Sequence, residues 1–235
     1  MRPRLLLAVI TWAMLVGTAE AAPSFDAEAA VTFTFTAASN SAARIVQTAD
    51  AIFLATQHYD HTGDTIASTI AGASPTQSYQ STNAEPEGNY LAVYVGAPSG
   101  SQTVAITGGD TGDDWSAGFR GLNGGHATTP FNNQVTDIAS AASISVTTTA
   151  DGLAVGATMA ESNAAATSDT QVFEGPETGS FGFVVNVAST AGTGGVVSID
   201  WTSETFYASI AVNMLIAAGG APAATPTRTL LGVGQ

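Results

Sequence analysis

The chain has 235 residues, 45% of them hydrophobic, enough to bury a sizeable core, and carries 19 acidic against five basic residues for a formal net charge of −14. Cysteine is absent, which excludes disulfides, thiolate metal sites and cysteine nucleophiles. None of the basic residues is lysine. An acidic surface repels phosphate backbones and anionic membrane surfaces, so nucleic acid is not an expected partner.

Arg2 and Arg4 open the chain, and Leu5 to Gly17 is apolar but too short for a comfortable membrane span. Ala19-Glu20-Ala21 then supplies the small residues that a signal peptidase requires. A signal helix over 1–21 is expected, cleaved after Ala21 to leave a secreted or cell-surface protein with no membrane span. An uncleaved anchor, or an apolar helix buried in an assembly, is the other reading. The mature chain then holds 18 acidic and three basic residues. They are scattered rather than gathered into a tail and read as solubility by net charge, with a saline habitat or divalent-cation binding as alternatives. Its length suits one large all-β domain, 22–218, better than two small ones.

From Ala29 to Thr36 the chain alternates, with Val31, Phe33 and Phe35 on one face and Thr32, Thr34 and Thr36 on the other, the pattern of a half-buried strand. Ser39-Asn40-Ser41 reads as a break. Ala49 to His58 is apolar on both faces through Ile52, Phe53 and Leu54, so a central strand is expected. His58 to Asp64 follows as a polar loop. Thr65 to Ala71 and Gln77 to Thr82 are weaker strands, and Glu85-Pro86-Glu87-Gly88-Asn89 is a turn. Tyr90 to Gly96 places Leu91, Val93 and Val95 on one face. After Ala97-Pro98-Ser99-Gly100, the segment from Gln102 to Thr107 carries Val104 and Ile106 inward. Gly108 to Asp114 is an acidic glycine loop, and Trp115 to Leu122 another strand. Asn123 to Ala139 reads as one long loop.

Ala142 to Ala160 is the segment around which the rest is organised. Ile144, Val146 and Thr148 share one face, Ala150-Asp151-Gly152 turns, and Leu153, Val155, Ala157 and Met159 share the next face, so a β-hairpin is expected. Glu161 to Ser168 is a loop and Gln171 to Phe173 a short strand. Phe181, Phe183, Val185 and Val187 alternate, Val197 to Trp201 is a strand, and Ala208 to Ile216 closes the domain. No stretch after the signal has helical period. Short strands with turns every 8–12 residues or so predict an all-β fold, a two-sheet antiparallel β-sandwich of jelly-roll type. Residues 219–235 form an Ala/Pro/Thr linker ending in Leu230-Leu231-Gly232-Val233.

The order of these features resembles an uncharacterised bacterial and phage-associated family of extracellular β-sandwich modules. The resemblance rests on Leu91-Ala92-Val93-Tyr94-Val95, Pro98-Ser99-Gly100, and Gly121-Leu122-Asn123 running to Thr128-Thr129-Pro130. Thr148 to Val155 and Ser198-Ile199-Asp200-Trp201 continue it, over about Ala29 to Ala218. Gly124-Gly125-His126 lengthens the loop before Thr128 and departs from the pattern. The resemblance implies an extracellular sandwich and no catalytic residues.

Candidate chemistry is sparse. His58 and His61 with Asp60 and Asp64 have metal-ligand residue types, but positions three apart point to opposite faces of a strand, and a solvated loop is the simpler reading. Asp110, Asp113 and Asp114 offer hard oxygen ligands on a glycine-rich turn, a possible Ca²⁺ site without the EF-hand spacing. Glu161, Glu174 and Glu177 lack an aromatic platform for glycoside hydrolysis, and His126 lacks a Gly-x-Ser-x-Gly elbow. Tyr90, Tyr94 and Trp115 would stack on sugar rings if exposed, but strand aromatics are more often core. Leu230, Leu231 and Val233 offer an apolar contact for assembly. The expected function is a non-catalytic secreted structural module that associates with copies of itself in a surface layer, fibre or virion. The alternative is a carbohydrate-binding module facing a surface glycan, with a hydrolase a distant third.

Overall fold

Period-two alternation recurs along the chain, and the computed structural model forms strands wherever it describes regular structure. It describes residues 22–27, 30–36, 39–46, 50–58, 65–81, 88–97, 100–108, 114–137, 142–160, 169–175, 184–202 and 206–216. The first half contains β1 (Ser24–Phe25), β2 (Val31–Thr36), β3 (Ser39–Val46), β4 (Ala51–His58), β5 (Ala67–Ile70), β6 (Gln77–Gln80), β7 (Gly88–Val95), β8 (Gly100–Thr107) and β9 (Asp114–Asn123). The second contains β10 (Phe131–Asp137), β11 (Ser143–Thr147), β12 (Leu153–Ala160), β13 (Thr170–Glu174), β14 (Val184–Ala191), β15 (Val196–Asp200) and β16 (Phe206–Met214). All their pairings are antiparallel.

The two halves have one topology. The first builds a large sheet ordered β2-β9-β4-β7-β6, with β1 also on β9, and a small sheet β3-β8-β5. The second builds β10-β16-β12-β14-β13 and a small sheet β11-β15. Taking β2 to β10, β3 to β11, β4 to β12 and onward, each strand of the second half finds its counterpart in chain order, and only β1 and β5 of the first half have none. The central strands show the same register: Ala51 of β4 lies opposite Val95 and Leu122, and Leu153 of β12 opposite Ala191 and Met214. Both are preceded in the sequence by Thr-Ala-Asp, at 48–50 and at 149–151.

The large sheets pack face to face. Phe53, Ala55, Leu91, Val93 and Leu122 of the first meet Val155, Ala157, Val185, Val187, Ile210 and Val212 of the second in one buried cluster. This is the antiparallel sandwich expected from the sequence, and it is only the centre of the molecule. The outer face of the first sheet, with Ile52, Leu54, Tyr90, Tyr94, Trp115 and Phe119, is covered by Val104 and Ile106 of β8 and Ile70 of β5. The outer face of the second, with Ala154, Ala160, Ala188 and Ala211, is covered by Ile144, Val146, Ile199 and Trp201. Four β layers are therefore stacked. A fully buried aliphatic or aromatic side chain contributes about 1.5–3 kcal/mol, so the two small sheets add substantially to a core that has no disulfides.

Two side chains clamp the halves at opposite edges. The Gln77 amide donates through Nε2 to the Phe131 carbonyl at 2.9 Å and accepts the Phe131 N–H at 3.1 Å, acting as a surrogate strand between β6 and β10. Arg120 donates to the carbonyls of Val172 at 2.7 Å and Asp26 at 2.8 Å, and its Nε lies 3.9 Å from the Asp26 carboxylate.

Several expectations are corrected. β11 and β12 do not form a hairpin: β11 pairs with β15 and β12 with β14 and β16, so Thr148 to Gly152 is a corner between layers. Gly152 does not have a positive φ there. It is small because a Cβ would stand 2.3 Å from Asn213 Oδ1 and 2.6 Å from Thr149 Oγ1. Ser39-Asn40-Ser41 begins strand β3 rather than breaking one. Within 123–139 lies β10, an edge strand whose register shifts between Asn132 and Val135, with Asn133 at φ 51° and only Phe131 fully buried. The bulge and the polar residues hide its alternation.

Candidate functional site

His58 ends β4, and its backbone lies opposite Gly88 and Trp115. Asp114 begins β9 opposite Thr36. The strand ends flanking 59–64 and 109–113 are therefore neighbours, which chain order alone does not show. The side chains of His58 and Asp114, and all of Asp60, His61, Asp64, Asp110 and Asp113, lie outside the described residues, as do Glu161 and Glu177; Glu174 is exposed on β13. Among the described residues no three His, Asp or Glu side chains come together as a metal site. Leu230, Leu231, Val233 and the signal segment also lie outside the described residues. Within those residues, no helix is long and apolar enough to cross a membrane.

The proposed sugar-stacking residues are corrected by their burial. Tyr90, Tyr94 and Trp115 are 2%, 3% and 0% exposed and lie between the first large sheet and its cover. They point to the opposite side of the sheet from Leu91 and Val93, because alternate residues of a strand face opposite ways. Ser68 Oγ bridges the two tyrosines, 2.8 Å from the Tyr90 hydroxyl and 2.5 Å from that of Tyr94. Burial pushes the Tyr94 hydroxyl well above the ordinary phenol range; the Ser68 bond pulls it partly back, and nearby Tyr90 raises it. These hydroxyls are satisfied core polar groups, and no aromatic face here is open to a pyranose.

The opposite pole holds a pocket of about 350 Å³ lined by His126, Thr149, Asp151, Leu215 and Ile216. Three segments build it. The connection between the halves contributes His126, held by its N–H on the Leu215 carbonyl at 3.0 Å. The corner before β12 contributes Thr149 and Asp151, closed by the Gly152 N–H on the Thr149 carbonyl at 3.1 Å. The end of β16 contributes Leu215, whose N–H donates to the Pro130 carbonyl at 2.8 Å, and Ile216, bridged to Gly125. His126 Nδ1 accepts the N–H groups of Thr129 at 3.1 Å and Thr128 at 3.3 Å, so in the neutral ring the proton sits on Nε2. The pocket is thus an aliphatic wall with a carboxylate, a hydroxyl and an imidazole at its rim.

Of these residues, the sequence pointed to His126 as a possible base and to Asp151 only as a turn former. Leu215 and Ile216 read as continuing the last strand. The signal available was the repeated Thr-Ala-Asp, which marks Asp50 and Asp151 as equivalent corners. Asp50 is tied in the first half: its N–H meets Asn123 Oδ1 at 3.4 Å and its carboxylate accepts the Gly124 N–H at 3.4 Å.

Compared with family models, curated proteins and solved structures, the chain finds no match.

Proposed function

We propose that the protein is a non-catalytic structural module of an extracellular or cell-surface assembly, associating with copies of itself through the open edge of β15. What supports this is the character of that edge. Among the described residues β15 is paired with β11 on one side only. Trp201 N–H donates to Ala142 and Thr148 N–H to the Gly195 carbonyl, so the backbone groups of Val197 and Ile199 face β11, while those of Val196 and Ser198 face outward. The Val196 side chain, 69% exposed, is the large hydrophobic residue left uncovered among the described residues. At the next outward position the Asp169 carboxylate accepts the Asp200 N–H at 2.9 Å and limits the open edge to about one bonding pair. A short edge that carries an exposed valine suits lateral strand addition. Burial of Tyr90, Tyr94 and Trp115 withholds these three rings from stacking on a glycan.

A net charge of −14 opposes self-association and is screened within about 10 Å at 0.1 M salt. Light scattering coupled to size exclusion is therefore expected to show larger species in about 0.5 M salt than in 20 mM. Ser198→Pro should abolish them, since it removes an outward N–H without touching the β11 ladder. A monomer at every salt concentration would overturn the proposal.

A further inference from the structure

The two edges at which the halves meet are built alike and closed differently. Phe131, at the start of β10, lies opposite Met214, and beside it the Leu215 N–H donates to the Pro130 carbonyl. Backbone groups alternate in direction along an antiparallel pair, so the Phe131 N–H and C=O point away from β16. There the Gln77 carboxamide takes up both. β1 has no separate strand as its counterpart, but it sits on β9 as the start of β10 sits on β16. Phe25 lies opposite Leu122, which holds the register place of Met214, and the Asp26 N–H donates to the Gly121 carbonyl. The Phe25 N–H and C=O therefore point away from β9 in the same manner. The residue that faces them by register is Thr170, which lies opposite Ser189 as Gln77 lies opposite Val93. Ser189 and Val93 are equivalent in turn, standing at matching places before Ala191 and Val95.

Threonine is shorter than glutamine and carries no carboxamide, so this edge stays open. A pocket of about 270 Å³ stands where the clamp would be, lined by Phe25, Arg120, Thr170, Val172 and Ser189 among others. Among the described residues no hydrogen bond reaches the N–H or carbonyl of Phe25. Ser189 is 6% exposed and its hydroxyl has no partner among them either, whereas the equivalent Val93 is sealed in the central core. Arg120 ties β9 to Val172 and Asp26 and bonds nothing of Phe25.

We propose that this pocket is a binding site for a glutamine side chain presented by a partner polypeptide. Its carboxamide oxygen accepts the Phe25 N–H, its amide nitrogen donates to the Phe25 carbonyl, and its stem lies against Val172. The molecule holds the pattern for this contact in Gln77 on Phe131, with bonds of 2.9 and 3.1 Å. A donor and an acceptor side by side on one residue select a planar group that offers both. A carboxylate has no proton to give the Phe25 carbonyl, and the net charge of −14 opposes it further. The buried Ser189 hydroxyl supplies one more donor for the second lone pair of the amide oxygen. The pocket falls below the roughly 300–1,000 Å³ typical of ligand sites, which suits one side chain rather than a larger molecule. The site is separate from the β15 edge, and neither proposal requires the other.

The test is amide-resolved NMR on the isotope-labelled full chain, titrated with N-acetylglutamine N-methylamide, with the leucine and glutamate analogues as controls. The expected result is a downfield shift of the Phe25 amide that saturates with a Kd of about 1–10 mM, the scale that a single side chain supplies. The leucine analogue presents the same two peptide units without the carboxamide, and both controls should bind about fivefold more weakly or less. Thr170→Gln should place the missing carboxamide within the chain, so that the Phe25 amide exchanges with solvent about tenfold more slowly, the scale of one net hydrogen bond, and the probe no longer shifts it. Thr170 is exposed at the start of β13, so its replacement leaves the core intact, and unchanged β12 and β14 resonances verify this. Three outcomes overturn the proposal: no saturable shift at Phe25, an equal response to the leucine analogue, or a Thr170→Gln protein that exchanges and binds as the parent does.

Discussion

Replacing Gly156 by valine separates a four-layer stack from a two-layer sandwich by the sign of the effect. Gly156 lies in the middle of β12, on the face turned away from the central core. If that face met solvent, valine would stabilise the strand by about 0.5–1 kcal/mol, because glycine carries an entropic penalty and β-branched residues favour the pleat. In the structure a Cβ at this position would stand 2.9 Å from Ile199 Cδ1 and 3.1 Å from the Trp201 ring, with Ile144 Cγ2 at 3.5 Å. The first atom alone is tighter than normal contact, and the two γ-methyls have nowhere to go beneath a 0% exposed Ile199 and a 2% exposed Trp201. Overpacking of this kind costs about 1–3 kcal/mol, which outweighs the propensity gain, so a net loss of about 1–2 kcal/mol is expected. For a domain of this size that lowers the melting midpoint by about 2–4 °C per kcal/mol. Urea unfolding followed by tryptophan fluorescence measures it. In an Ile199→Ala background the same change should cost less than in the parent, since the truncated side chain makes the room that valine needs. A Gly156→Val protein as stable as the parent, or more so, would refute the covering role of β11 and β15.

Two further outcomes are expected from the packing of the two halves and of their covers. Gln77→Leu should lower stability by about 1–3 kcal/mol, because it leaves the N–H and carbonyl of buried Phe131 without the amide that satisfies both; equilibrium urea unfolding reads the loss, and a change below about 0.5 kcal/mol would mean that the clamp is dispensable. The raised Tyr94 hydroxyl makes stability fall at alkaline pH. Its proton is held in the folded state and lost in the unfolded one once the pH passes about 10, so the contribution is intact below that value and declines above it by about 1.4 kcal/mol per pH unit. Tyr94→Phe should flatten that decline, and the tyrosinate absorbance of this residue should appear only together with unfolding.

Much of the strand content was legible because backbone pleating imposes a period of two on any half-buried segment. Val155, Ala157 and Met159 announced the inner face of β12, and Ile52, Phe53 and Leu54 announced that β4 is buried on both sides. β3 and β10 were not legible, since Ser39, Asn40 and Ser41 lack any apolar alternation and β10 is bulged and polar beyond Phe131. The pocket was illegible for a different reason. His126, Asp151 and Ile216 come from three segments that are distant in sequence and meet only in the folded chain.

The alternation of side chains therefore decided, from the chain alone, that this protein is all-β and where most of its strands lie. It could not decide the partner of any strand. Ala154, Gly156, Thr158 and Ala160 look like the weak outer face of a sandwich when read along the chain. In three dimensions their smallness is what lets Ile199 and Trp201 approach closely enough to cover them. Period is a local property of the backbone, whereas pairing, layering and the meeting of distant side chains depend on which apolar faces find one another across the whole chain.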